Sequence, residues 1–242
     1  MKRTTHGAYL TQLTRLPHVF PVNAYLLREE DGLTLIDTAL PGSTTSILAA
    51  AREIGQPIVR IAITHAHNDH VGSLDKLHEA LPDAEVLVSA RDARFLAGDR
   101  SLDPQEPQVK LRGGYVSVLT RPTRLLKPGD RVGSLEVIAS PGHTPGHIAF
   151  RDTRDGTLFA GDAFQTAGGL AVSGTLRLLF PFPALATWHK PTALVSARAL
   201  RDLEPTRLAV GHGAVLEAPV ANMDRVIGEA ARKMGQEPAG VA

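Results

Sequence analysis

Apolar positions along the chain recur with a period of two in some stretches and with a helical period in others, and the changes of period mark the elements. Val22-Asn23-Ala24-Tyr25-Leu26-Leu27 and Leu33-Thr34-Leu35-Ile36-Asp37 are β-prone runs on either side of the turn signal Glu30-Asp31-Gly32. They predict an antiparallel hairpin that ends at Asp37. From Ser43, Ile47, Leu48, Ala51 and Ile54 recur at helical spacing, and Gly55 closes the helix. The run Ile58 to Ile63 reads as a strand, Ser73 to Leu81 as a helix, Glu85 to Ser89 as a strand and Arg91 to Leu96 as a short helix. This alternation predicts a layered α/β domain (α+β in some schemes).

The stretch 99–122 breaks every period with Pro104, Pro107, Gly113, Gly114 and Pro122, and is expected to be a loop or lid. Strands resume at Leu135 to Ala139, Ile148 to Arg151 and Leu158 to Ala160. A helix follows from about Thr192 to Leu203, then a strand from Arg207 to Val210 and a helix from Pro219 to Met234. Between them lies the apolar region 170–188. Gly174, Arg177, Pro181 and Pro183 interrupt it, well short of the roughly 20 apolar residues that span a bilayer, so no membrane partner is expected.

A length of 242 residues suits one domain, 1–242, with an ordinary core. The absence of cysteine excludes a disulfide scaffold, a thiolate metal site and a cysteine nucleophile. Net charge is +1 with both signs interspersed, and no basic stripe suggests a nucleic-acid partner. The N-terminal residues are followed by no apolar h-region, so the expected location is the cytoplasm.

Candidate chemistry concentrates at strand ends. Thr64-His65-Ala66-His67-Asn68-Asp69-His70-Val71-Gly72 places three histidines and an aspartate directly after the Ile58–Ile63 strand. Three later strands end in Ser140-Pro141-Gly142-His143-Thr144, Gly161-Asp162 and Gly211-His212-Gly213. Each carries a metal-ligand side chain beside a glycine that lets the backbone turn sharply, so the four segments can converge on one sheet edge.

In that order, together with Leu35-Ile36-Asp37-Thr38, these motifs resemble those of the metallo-β-lactamase-fold hydrolase superfamily over nearly the whole chain. The resemblance implies a four-layer αβ/βα sandwich of two mixed β-sheets with external helices, and a two-metal site along one edge. It implies that His65, His67 and His143 bind one ion and Asp69, His70 and His212 the other, with Asp162 bridging. Three neutral imidazoles leave a dication an open position for water, and a second ion nearby lets one hydroxide be shared. The expected activity is hydrolysis of a small-molecule carboxylic ester, lactone or thioester by that hydroxide, with Asp69 as the catalytic residue that orients it.

The expected ions are two divalent metals, zinc first and manganese or iron as alternatives. The runner-up activity is a phosphodiesterase or phosphonate hydrolase, with an iron persulfide dioxygenase more distant. A non-catalytic metal-bound sensor or interaction protein is the alternative from another class. Asp37 is expected to hold a loop or a histidine tautomer, or to make an Asx turn, and His147 to support the ligands from behind. Tyr25 and Tyr115 are expected to fill space, and His6, His18, His78 and His189 to lie outside the site. Within 170–188, Leu179, Phe180, Phe182 and Trp188 are expected to form an apolar wall beside the metals or, equally, core or a homodimer contact.

Overall fold

The computed structural model describes residues 1–235, so residues 236–242 of the expected domain lie outside the described residues. The chain opens with β1 (Lys2–His6), β2 (Leu10–Arg15), β3 (Val22–Glu29), β4 (Gly32–Ile36), α1 (Thr44–Ile54) and β5 (Ile58–Ala62). Then come α2 (Asn68–Val71), α3 (Leu74–Ala80), β6 (Glu85–Ser89), α4 (Ala90–Leu96) and β7 (Arg124–Leu126). The second half holds β8 (Arg131–Val132), β9 (Leu135–Ala139), β10 (Ile148–Asp152), β11 (Thr157–Phe159), β12 (Phe164–Gln165) and β13 (Ala171–Val172). It continues with α5 (Phe182–Ala186), α6 (Lys190–Arg201), β14 (Arg207–Ala209), β15 (Leu216–Glu217) and α7 (Val220–Lys233).

Local chemistry explains most boundaries. Gly55 caps α1 in the left-handed conformation and donates its N–H to the Ala51 carbonyl. Ser89 caps α4 by accepting from the Asp92 N–H. The hairpin of β3 and β4 pairs as the pattern predicts, Tyr25 opposite Ile36. The β1–β2 pair is an addition that the hydrophobic pattern did not predict: the five residues of β1, all polar or charged, carry no apolar alternation, and the strand lies on the sheet edge.

Seven strands form one mixed sheet in the order β1-β2-β3-β4-β5-β6-β7, antiparallel up to β4 and parallel beyond it. The other mixed sheet runs β15-β14-β11-β10-β9-β8. Three apolar cores fix the layers. One packs Leu26, Leu35 and Ile61 under Ile47 of α1 and Leu74 of α3, and another packs Leu158 and Leu208 under Leu194 of α6 and Val226 of α7. The third lies between the sheets, where Leu27, Ile36 and Leu87 meet Val137, Phe150 and Phe159. Adjacent residues such as Leu26 and Leu27 therefore face different cores, as the alternation of a strand buried on both faces requires. The layer order is helix, sheet, sheet, helix, the αβ/βα sandwich the motifs implied.

Topology then places the chemistry. Strands β4, β5 and β6 are parallel, so Asp37, His65 and Asp92 leave the first sheet at one edge. Strand β9 and strand β11 are each antiparallel to β10, and β14 is parallel to β11. All three therefore point the same way, and their ends deliver His143, Asp162 and His212 together. The two edges are stitched by Ile148 donating to the Thr64 carbonyl at 3.0 Å and Asn23 donating to the Gly211 carbonyl at 2.8 Å.

Candidate metal centre

The structure brings the seven expected ligand residues into one cluster. Ligand atoms of His65, His67 and His143 lie within 4.8 Å of one another, as do those of Asp69, His70 and His212. A third set, His65, His70 and Asp162, overlaps the first two. Asp162 sits in the middle: its Oδ2 is 3.3 Å from His143 Nε2 and 3.2 Å from His212 Nε2, and its Oδ1 is 3.4 Å from His70 Nε2. The five imidazoles and Asp162 are buried.

One ring nitrogen of every imidazole is held from outside the cluster. His67 Nε2 lies 3.0 Å from the Arg112 carbonyl and His212 Nδ1 lies 2.7 Å from the Pro21 carbonyl, and since a carbonyl only accepts, both nitrogens carry the proton. His70 Nδ1 donates to Asp37 Oδ2 at 2.7 Å. His65 Nδ1 contacts Thr64 Oγ1, whose own proton goes to Asp37, so the imidazole is again the donor. His143 Nδ1 meets Ser173 Oγ and Thr187 Oγ1, and Thr187 passes its proton on to the Pro183 carbonyl.

The other nitrogen of each ring is thereby aimed inward. His65 Nε2, His70 Nε2 and Asp162 Oδ1 are buried with no hydrogen-bond partner, and His67 Nδ1 faces His143 Nε2 at 2.9 Å. Buried polar atoms left unpaired are costly, and lone pairs facing one another repel. A cation satisfies all of them, and externally anchored tautomers are the usual support of metal-binding histidines. The donor set is nitrogen and oxygen only, which suits zinc, manganese or iron. The residues present therefore fit a metal site.

The electrostatics agree. Burial drives His65 and His143 well below the usual histidine range and lowers His67, so all three are neutral donors. Burial also disfavours charge on His70 and His212, but Asp162 and its neighbours outweigh it, raising His70 well above the usual range and His212 to about 10. For Asp69 and Asp162 burial is again opposed, here by His212 and His70, and both carboxyls stay below the ordinary range. Carboxylates that attract protons onto histidine attract a dication in the same place.

Asp37 accepts from Thr64 N–H, Thr64 Oγ1 and His70 Nδ1, so it holds both the strand end and a histidine tautomer. His147 lies outside the three ligand groups. Its Nδ1 meets Ser140 Oγ, and its Nε2, kept neutral by burial with a pKa lowered to about 3, accepts from the Asp162 N–H at 3.1 Å. Tyr25 is packed between the sheets and donates to the Val210 carbonyl at 2.6 Å. Tyr115 packs on His67 and Phe95, with ring centroids 4.7 and 4.9 Å away.

Sequence reasoning missed three supports. Asp92, fully buried, accepts from Ala66 N–H, Thr144 Oγ1 and Gly146 N–H, and so ties the His65–His67 loop to the His143 loop. Asn23 donates to the Val210 and Gly213 carbonyls, and Gln12 to that of Gly213, which fixes the His212 loop from the opposite sheet. Gln12 and Asn23 stand beside apolar residues of β2 and β3, whereas Asp92, between Arg91 and Ala93 of α4, carried no such signal.

A cavity of about 300 Å³ opens above the cluster. Its floor includes His67, Asp69, His143, Asp162 and His212, its rim Asn68, Gly113 and Gly114, and one wall Phe20, Phe182, Pro183, Leu185 and Ala186. Segment 170–188 thus supplies a wall through 182–186, but not through all the residues expected of it. Among its four named residues only Phe182 lines this cavity. Phe180 is buried behind it against His212, with ring centroids 5.3 Å apart. Leu179 is 88% exposed and borders a different cavity, and Trp188 is 5% exposed with its indole N–H on the Val109 carbonyl.

Comparisons with known proteins agree with this architecture. The family model described as "Metallo-beta-lactamase superfamily" matches residues 18–212. The Bacillus subtilis protein YobT is 51% identical over 229 residues, covering 94% of this chain and 98% of its own. The same organism's "Probable metallo-hydrolase YflN" is 32% identical over 86% of this chain and 80% of its own. A Vibrio cholerae "Hydroxyacylglutathione hydrolase" is 30% identical over 58% of this chain and 47% of its own. The di-iron-bound crystal structure of TTHA1623 superposes with a TM-score of 0.63 at 28% identity, covering 87% of this chain and 96% of that one. With the fold, the strand-end ligands and the sequence match in agreement, the chain belongs to the metallo-β-lactamase superfamily.

Proposed function

We propose that this protein is a metal-dependent hydrolase of a carboxylic ester, lactone or thioester. His65, His67 and His143 would hold one divalent ion, Asp69, His70 and His212 a second, and Asp162 would contact both. The carrying observation is the outward anchoring of all five imidazoles, which leaves the other ring nitrogen of each aimed at a common centre. When bound, such a pair of ions supplies a Lewis acid for the substrate oxygen and a hydroxide nucleophile at neutral pH.

The chain's own groups do the remaining work. Asp69 stays a carboxylate because His212 and His70 hold its pKa down, and it lines the cavity 3.3 Å from His212 Nε2. Its Oδ2 can orient a water and take a proton from it. Asp37, His147 and Asp92 keep the donors in position through buried hydrogen bonds. The similarity to hydroxyacylglutathione hydrolases supports the thioester member of the substrate set, and the di-iron neighbour supports iron beside zinc and manganese.

The test is a panel of ester, lactone, thioester, β-lactam and phosphodiester substrates offered to protein whose metal content has been measured. Turnover of the acyl substrates is expected. Absence of any turnover with two ions bound would overturn the hydrolase reading in favour of a binding role.

A further inference from the structure

The cavity above the cluster is chemically lopsided. Outside its floor of histidines and aspartates, its wall is built from Phe20 and the turn and helix 182–186, and its rim from two glycines and Asn68. No lysine or arginine among the described residues lines it. The single polar side chain of the rim, the Asn68 carboxamide, is uncharged.

The apolar wall is also left uncovered by the protein. Phe182 is 49% exposed and Leu185 is 58% exposed, although Phe182 is anchored edge-on against Phe20 with ring centroids 5.0 Å apart. Phe20 in turn packs on His212, at 5.4 Å, so the wall is continuous with the candidate metal centre. A ligand whose reacting carbonyl reaches the floor must therefore lay its neighbouring atoms on this surface. A carboxylate or phosphate placed there would lose hydration without meeting a cation, whereas a methylene would gain by leaving water.

From this we infer that the substrate is uncharged beyond its reacting group and carries an apolar acyl chain that lies on Phe20, Phe182, Pro183 and Leu185. The inference rests on the hydrolase reading above and narrows it: acyl groups ending in a carboxylate are disfavoured by the same wall.

The experiment uses metal-loaded protein and two ligand series. One is the p-nitrophenyl esters from acetate to octanoate, with mono-esters of dicarboxylic acids of equal length. The other is alkyl hydroxamic acids of the same lengths, with and without a terminal carboxylate, read by calorimetry without turnover. The expected rise in kcat/KM and in affinity is about fourfold per methylene until the wall is covered. A terminal carboxylate lowers both at least tenfold, and Phe182→Ala flattens the dependence on chain length.

A flat series, or a preference for the carboxylate, would overturn the inference. If that preference disappears in Arg112→Ala, this exposed arginine, which precedes the rim glycines and lies outside the cavity lining, is the anion receptor instead. Should no ester be hydrolysed, the hydroxamate affinities alone decide the ligand class, and the hydrolase reading stands or falls separately on the wider substrate panel above.

Discussion

Asp37 shows how one carboxylate organises the centre. It terminates β4 in a left-handed backbone conformation, φ 58°, and from there its two oxygens receive Thr64 and His70. Replacing it by asparagine puts an amide donor against His70 Nδ1–H or against the Thr64 donors. Asp37→Asn is expected to lower metal affinity 10- to 100-fold, measured by competition with a chelator. Unchanged affinity would show that the His70 orientation is set elsewhere. Asp92 works the same way on the loops, and burial raises its pKa from 3.8 to about 6. A carboxyl with a raised folded pKa contributes stability that is present below about pH 4 and lost as pH rises through about 6. Wild-type protein is therefore expected to lose up to about 3 kcal/mol more than Asp92→Asn between pH 4 and 7, read from urea midpoints.

Among the elements, the two irregular segments behave differently from free lids. Segment 99–122 is tied to α4 by Arg91 on Glu106 and by Arg94 on Asp99 and Asp103, and to the histidine loop by Asn68 N–H on the Gly114 carbonyl. It presents the Arg112 carbonyl to His67, and a Cβ on Gly113, whose φ is +85°, would stand 2.3 Å from His67 Nε2. Gly113→Ala is expected to weaken metal binding about tenfold, measured by competition with a chelator, and also to lower the melting temperature, because alanine is strained at this φ and its Cβ displaces His67. Segment 170–188 is held to α7 by Arg177 on Glu229, and Arg177 with Lys233 lowers the Glu229 pKa to about 2. That tie is present above about pH 4.5 and lost as pH falls toward 2. Glu229→Gln is expected to speed hydrogen exchange in 170–188 at pH 7 and to leave it unchanged at pH 2.

At the scale of the whole molecule, what was legible in the sequence is what depends on local pattern. Period-two runs marked β3, β4, β5 and β10, helical spacing marked α1, α6 and α7, and glycine-flanked histidines marked the strand ends. The polar strand β1 and the two-residue strands β8, β12, β13 and β15 carry no such pattern, and their pairing comes from tertiary context. The hydrogen bonds of Asp92, Asn23 and Gln12 were hidden for a related reason. They join segments far apart in the chain, Asn23 to Val210 for example, and a polar residue does not name its partner. Parallel strand ends from two sheets meet at one edge, and everything proposed about chemistry depends on Asp162 standing between both halves of the ligand set. The direct measurement is the number of divalent ions bound per chain, titrated into metal-free wild type and Asp162→Ala under the same conditions. Two ions in the wild type and one or none in the variant are expected; two in both, or none in the wild type, would contradict a shared two-ion centre.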